Sequence, residues 1–177
     1  MTDKQTLREQ IRKSNKELLT AEYRQKASHA ICRKIAWNRS FQGTSKIALY
    51  HALPDEPDLL ELLDRFATKK EIYLPRVEGD DIAFYRYTGS QALCTGSFGI
   101  QEPTAVQAID PMELELIVVP GMAFTRTGVR LGRGKAFYDR FLPKTNATLI
   151  GVTFDYRIFD EIPSEEWDIL MHEIITN

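Results

Sequence analysis

The apolar positions in the first part of the chain recur at helical spacing. Residues 6–37 contain neither glycine nor proline, and Leu7, Ile11 and Leu18 fall near one face of a first helix. Thr20 has the side chain of an N-cap, which predicts that a second helix begins just after it. Leucines that recur on one face predict a further helix over residues 58–68. A loop is predicted over residues 38–45.

Short apolar runs bounded by turn residues predict the β-strands. The strongest signal is the sequence Leu-Glu-Leu-Ile-Val-Val-Pro at residues 114–120. The other predicted strands are residues 46–52, 71–75, 82–87, 147–154 and 170–176. Strands that alternate with helices favour a mostly parallel sheet covered on both faces. We therefore predict an α/β fold, a three-layer α/β/α sandwich, formed by residues 1–177 as a single domain.

Composition narrows the function classes. The chain has 177 residues, of which 43% are hydrophobic and 27% charged, and this balance excludes a disordered or fibrous protein. No run of about 18 apolar residues occurs and the first residues are polar, so we expect no membrane partner and a cytoplasmic location. The net charge of −2 argues against an obligate nucleic-acid binder. We expect small-molecule substrates, a monomer, and two free thiols at Cys32 and Cys94.

Residues 128–140, with the sequence GVRLGRGKAFYDR, are the candidate for chemistry. Glycines let a ligand approach the backbone, and the amides of a following helix favour phosphate. Arg130, Arg133 and Lys135 add positive charge, and Asp139 is placed where a carboxylate can bind Mg²⁺ beside phosphates. The segment is neither a Walker loop nor a dinucleotide fingerprint, because Phe137 stands at the third glycine position. The alternative interpretation is a solvated basic loop.

With its surroundings, this segment resembles the signature of the 5-formyltetrahydrofolate cyclo-ligase family. The resemblance rests on residues 118–124, Gly128, residues 130–134 and residues 138–140, and it extends over nearly the whole chain. Further segments that resemble the family pattern are residues 4–8, 54–56, 73–76, 99–103 and 163–168. The resemblance implies a three-layer α/β fold. It also implies that 5-formyltetrahydrofolate and ATP are converted to 5,10-methenyltetrahydrofolate, ADP and phosphate with Mg²⁺.

The resemblance also implies residue roles. Lys4 and Arg8 would bind the ATP phosphates, although by themselves they are an ordinary pair of helix surface charges. The remaining ATP-binding residues would be Arg130, Leu131, Gly132, Arg133, Gly134, Lys135, Ala136, Phe137 and Tyr138. Of these, residues 133–137 would also contact the folate, and Arg133 and Lys135 would act in catalysis.

The folate and the metal are assigned to other segments. Glu56 would bind the pterin through its carboxylate, whereas its alternative role is a helix N-terminal glutamate. His51 would line the folate pocket, although a lone histidine beside a strand is more often structural. Asp139 and Asp168 would hold Mg²⁺, and Asp168 taken alone is an ordinary surface carboxylate.

Several positions depart from the family pattern. Ala136 stands where a third glycine is usual, and this alanine is costly if the backbone there needs a positive φ. The other departures are Phe137, Thr125, Pro57, Arg157 in place of a usual glutamine, and Trp167 in place of a usual histidine. They leave the ATP and metal elements in place and affect the shape of the folate pocket.

Two other functions remain open from the sequence. A non-catalytic homologue would bind folate or nucleotide as a sensor, but it would have little reason to retain Lys4, Arg8, Glu56, Asp139 and Asp168 together. A nucleic-acid-binding module would use Arg126, Arg130, Arg133 and Arg140, but exposed aromatic residues do not interleave with these arginines.

Overall fold

The computed structural model describes residues 3–177 and contains five α-helices in that range. Asp3 and Thr20 begin the first two helices, each accepting a backbone hydrogen bond on its side-chain oxygen. The helices are α1 (Lys4–Leu18), α2 (Ala21–Trp37), α3 (Arg39–Gly43), α4 (Leu60–Phe66) and α5 (Phe137–Phe141). The two long N-terminal helices were predicted, and the N-cap at Thr20 is confirmed.

Within residues 3–177, eleven strands form three sheets. The strands are β1 (Lys46–Ala48), β2 (Glu71–Glu78), β3 (Asp81–Arg86), β4 (Leu93–Thr95), β5 (Gln101–Pro103), β6 (Leu116–Pro120), β7 (Ala123–Thr125), β8 (Arg130–Leu131), β9 (Thr148–Val152), β10 (Ile158–Phe159) and β11 (Glu173–Ile175). The central sheet has the order β11-β9-β6-β1-β2-β3, the second is β10-β7-β8, and the third is the hairpin β4-β5. In the central sheet only the edge strand β3 is antiparallel to its neighbour.

The central sheet is packed on both faces, so the predicted α/β sandwich with a mostly parallel sheet is confirmed. One face carries α2, α3 and α4, whose buried residues include Ile31, Phe41 and Leu62. The other face packs against α5, where the Phe141 ring lies 4.8 Å from the ring of Phe84 on the edge strand β3. Helix α1 instead covers the three-stranded sheet, since its buried side chains pack on β7 and β8.

Three details differ from the sequence prediction. Residues 38–45 are not simply a loop, because the Asn38 side chain accepts the amide of Phe41 and begins α3. Residues 88–111 contain the hairpin β4-β5, whose strands of three residues each are too short to show a periodicity. The helix expected to follow the glycine loop begins at Phe137 and has five residues. A phosphate at this loop would therefore depend more on side chains than on a helix dipole.

The parallel strands bring the candidate segments to one edge of the central sheet. Strands β1, β6 and β9 run side by side in the same direction, so the loops that follow them emerge together. These loops hold Glu56 after β1, Arg130 after β6 and Arg157 after β9. Within residues 3–177 no helix combines the length and the apolar character that a bilayer crossing needs.

Candidate active site

A pocket of about 420 Å³ opens at the carboxyl edge of the central strands. Its wall combines the loop after β1, the end of β6, the hairpin β4-β5 and the segment 130–139. Of the predicted site residues, the wall contains His51, Glu56, Arg130, Gly132, Arg133, Lys135, Ala136, Phe137, Tyr138 and Asp139. Burial lowers the pKa of His51, so its imidazole is neutral at pH 7.

Glu56 is a buried carboxylate held by both of its oxygens. Its Oε2 accepts the Leu53 amide at 2.9 Å, and its Oε1 accepts Nε and Nη2 of Arg133 at 3.2 and 3.1 Å. The turn around it is fixed from outside, because Arg24 donates to the Glu56 carbonyl at 3.0 Å and the Tyr50 hydroxyl donates to the Pro57 carbonyl at 2.9 Å. The carboxylate is therefore oriented before any ligand binds.

Arg133 links two carboxylates of the same turn. Besides Glu56, its Nη2 contacts Asp55 Oδ1 at 2.5 Å. Burial would lower the pKa of Arg133, but the hydrogen bond to Asp55 and the charge of Glu56 outweigh it and raise that pKa. This guanidinium is charged, and its present partners are the carboxylates of the residue 54–57 turn.

Arg130, whose side chain is 11% exposed, is the largely buried cation of the site. Its Nε donates to the Pro120 carbonyl at 2.9 Å, its Nη1 lies 3.2 Å from Asp139 Oδ1, and its guanidinium lies over the Tyr138 ring at 5.1 Å. Gly132 leaves the space for this, since a Cβ there would lie 3.0 Å from the guanidinium. Burial lowers the pKa of Arg130, while the charges of Asp139, Glu56 and Asp168 oppose that shift.

Helix α1 brings two further cations to the same region. Arg8 Nε donates to the Gly132 carbonyl at 2.8 Å, and Lys4 Nζ lies 3.2 Å from Asp168 Oδ2. Gly134 has a φ of +99°, which favours glycine, and it passes beside Arg8. A Cβ at this position would lie 3.8 Å from Arg8 Cζ, at van der Waals contact. The helical i, i+4 spacing places Lys4 and Arg8 on the same side of α1. Arg8 therefore lies at the glycine loop, and Lys4 lies at Asp168.

The other predicted residues occupy different surroundings. Leu131 is fully buried between α1 and the three-stranded sheet, so only its backbone faces the loop. Lys135 lies over the Phe98 ring at 5.5 Å, and Phe137 lies 6.3 Å from the same ring. Burial raises the pKa of Tyr138, and its hydroxyl has no hydrogen-bond partner among residues 3–177. An unpaired hydroxyl in the pocket wall is suited to a polar ligand.

Sequence reasoning assigned no role to the hairpin β4-β5, which forms one side of the pocket through Phe98, Ile100 and Glu102. Glu102 is buried and its Oε1 accepts the Val77 amide at 3.0 Å, which ties the hairpin to β2. Gly96 is needed opposite it, because a Cβ there would lie 1.9 Å from the Glu102 carboxylate. The motif at residues 99–103 was the signal that pointed to this wall.

Magnesium fits the donor set without a preformed cage. The part of the chain that the structure describes contains no cluster of three or more metal-binding side chains. Mg²⁺ in phosphate sites takes one or two carboxylates and completes its shell with phosphate oxygens and water. Asp139 and Asp168 supply carboxylate oxygens whose charges both act on Arg130, and each is now paired with a cation, Arg130 and Lys4 respectively.

Comparison with known proteins identifies the relatives of this chain. A model of the 5-formyltetrahydrofolate cyclo-ligase family matches residues 1–177. The chain belongs to this family. The 5-formyltetrahydrofolate cyclo-ligase of Haemophilus influenzae is 31% identical over 182 residues, covering 97% of this chain and 96% of that protein. The mouse 5-formyltetrahydrofolate cyclo-ligase is 26% identical over 173 residues, which cover 89% of this chain and 85% of the mouse protein.

Two solved structures resemble this chain. The Aquifex aeolicus 5,10-methenyltetrahydrofolate synthetase superposes with a TM-score of 0.87 at 33% identity, over 97% of this chain and 88% of that one. The Mycoplasma pneumoniae 5,10-methenyltetrahydrofolate synthetase, at 22% identity, shares the fold with a TM-score of 0.77 over 99% of both chains.

Ala136 is a strained position in this cyclo-ligase family chain. Its φ of 56° and ψ of 21° lie in the left-handed region, where a Cβ costs about 1 kcal/mol or more. We expect Ala136→Gly to raise the free energy of unfolding by about 0.5–1 kcal/mol, measured by urea denaturation. The matched control is Ala30→Gly within α2, which should lower it by about 1 kcal/mol. Destabilisation by both changes would contradict the strain at Ala136.

Proposed function

We propose that this chain is an ATP- and Mg²⁺-dependent 5-formyltetrahydrofolate cyclo-ligase. The observation that carries the proposal is the pocket in which the buried Glu56 carboxylate and the cationic loop at residues 130–135 face one another. An amino-pyrimidinone edge offers donors to a carboxylate, and a triphosphate needs cations. One pocket therefore supplies recognition groups for both substrates, within a single domain of 177 residues.

The reaction requires activation of a poor leaving group. The γ-phosphoryl group passes from ATP to the formyl oxygen, which breaks the bond to ADP and leaves an imidate-like phosphate. N10 then attacks the formyl carbon and loses its proton, and phosphate departs to give the methenyl bridge. Phosphoryl transfer depends mainly on positioning and charge neutralisation. Arg133 and Lys135 are the cations of the pocket wall that we assign to the transferred group.

The ion pairs of the site suggest how the ligands enter. Arg130 and Lys4 are paired with Asp139 and Asp168, the two carboxylates assigned to the metal. Mg²⁺ held by these aspartates would neutralise charge on the triphosphate, and Lys4 and Arg130 would then be released to bind phosphate oxygens. Exchange of partners costs less free energy than leaving one of these side chains unpaired, because each charged group keeps a counter-charge throughout.

Activity can be tested directly. The purified protein mixed with 5-formyltetrahydrofolate, ATP and Mg²⁺ should develop the near-ultraviolet absorbance of the methenyl product. A chelator should abolish the rate, and added Mg²⁺ should restore it. Binding of both substrates without product would instead establish the non-catalytic homologue as the function.

Asp139 is expected to support catalysis rather than folding. Its side chain is 59% exposed, and without it Arg130 would keep its hydrogen bond to the Pro120 carbonyl and its contact with the Tyr138 ring, so we expect the loss of this ion pair to cost about 0–1 kcal/mol. Asp139→Asn should therefore leave the thermal midpoint near that of the wild type and lower kcat by on the order of 100-fold. The control is Asp81→Asn, which breaks the comparably exposed pair with Arg140 outside the pocket. Early unfolding of the Asp139 variant with its activity retained would show that Asp139 is structural.

Glu56 is expected to recognise the pterin. Glu56→Gln replaces one acceptor oxygen by a donor and should weaken folate binding by about 2–3 kcal/mol, the scale of a charge-assisted hydrogen bond. ATP binding should change little. Asp55→Asn is the control, because it removes the other carboxylate of Arg133 at a residue that does not itself line the pocket. Calorimetric titration of both ligands decides the matter: equal weakening of both by the Gln variant, or of neither, would remove the pterin assignment.

A further inference from the structure

Arg157 is a fully buried cation with no carboxylate partner within residues 3–177. It is 1% exposed, and its Nη2 donates to Asn15 Oδ1 at 2.8 Å. Its Nε and Nη1 have no hydrogen-bond partner in the same range. The guanidinium lies 5.0 Å from the centroid of the Phe154 ring and 5.3 Å from that of Tyr156. Burial of a cation costs several kcal/mol unless its surroundings compensate, so this arrangement requires an explanation.

Asn15 is the point at which α1 is tied to the loop after β9. Its Oδ1 accepts both Arg157 Nη2 and the Tyr156 hydroxyl, each at 2.8 Å. Asn15 also lies in the last turn of α1, where the backbone carbonyls carry partial negative charge. The end of the helix therefore favours a nearby cation, and two aromatic faces add to that attraction. These contacts compensate for the missing carboxylate.

The opposite end of α1 carries the two cations of the site. Arg8 precedes Asn15 by seven residues, which is two helical turns and about 10 Å along the same face. Leu7 and Ile11, which lie between Lys4 and Asn15, pack on β7 and β8 through apolar contacts alone. Such contacts are not directional, so they resist separation of the helix more than its rotation or sliding. The hydrogen bonds at Asn15 are directional and resist both.

We propose that Arg157 and Asn15 are positioning residues that fix the rotation of α1 and so set Lys4 and Arg8 for the nucleotide. The inference rests on the proposed role of Lys4 and Arg8 in ATP binding. It assigns to Arg157 an effect on a ligand that it does not touch. Among the described residues, none of those that line the pocket shares a side-chain hydrogen bond with Asn15 or Arg157, so we expect the effect to be specific for ATP.

Dissociation constants for ATP with Mg²⁺ and for 5-formyltetrahydrofolate, each measured by calorimetric titration, test the inference without depending on turnover. Asn15→Ala and Arg157→Met should each weaken ATP binding about tenfold, roughly 1.4 kcal/mol, and leave folate binding within about twofold. Asn15→Asp keeps an acceptor for Arg157 and should retain ATP affinity. The double variant Asn15→Ala/Arg157→Met should be no weaker than Asn15→Ala alone, because both changes remove the same tie.

Arg8→Ala distinguishes the nucleotide role of α1 from the positioning role of Asn15 and Arg157. If Arg8→Ala weakens ATP binding while Asn15→Ala and Arg157→Met do not, the positioning role is overturned and the nucleotide role of α1 stands. If Arg8→Ala has no effect, the assignment of α1 to ATP is wrong and the inference falls with it. Equal weakening of both ligands by the variants would show a merely structural role. Should Asn15→Ala fail to fold, Arg157→Met still decides, because a long apolar side chain fills the buried site.

Discussion

A charge removed from water has to be paired, and this requirement organises the pocket. Arg133 lies between Asp55 and Glu56, Arg130 faces Asp139, and Lys4 faces Asp168. In each pair, the cation is one that we assign to phosphate binding or catalysis. Of the carboxylates, Asp139 and Asp168 are assigned to the metal and Glu56 to the pterin. The pocket thus keeps these reactive groups close together with each charge paired, at the cost of requiring partner exchange when substrates enter.

These pairs join segments that are distant in the sequence, and the parallel sheet makes that possible. Arg133 and Glu56 are 77 positions apart, and Lys4 and Asp168 are 164 apart. The loops meet because β1, β6 and β9 run in one direction and end at one edge. Helix α1 then reaches that edge from outside the central sheet, packed on β7 and β8. The fold therefore supplies the pocket, and short segments supply its chemistry.

Local signals in the sequence predicted the parts of this structure that local physics determines. The period of α1 and α2, the N-cap at Thr20 and the apolar run of β6 need no tertiary information. The positive φ of Ala136 was anticipated from the glycine usual at that position. The hairpin β4-β5 was not predicted, because its three-residue strands are stabilised by contacts with β2, in which Glu102 accepts the Val77 amide and Arg76 donates to the Ala105 carbonyl. The pairing of Arg133 with Glu56 is equally non-local.

Arg157 shows the same pairing requirement met in a different way. The cations of the pocket are each paired with a carboxylate, whereas Arg157 is not. Its positive charge is balanced by an amide oxygen, two aromatic faces and the carboxyl end of α1. A cation tied in this way keeps its partner while the pairs of the pocket exchange theirs. The contact that holds α1 is therefore separated electrostatically from the contacts that α1 must give up when ATP binds.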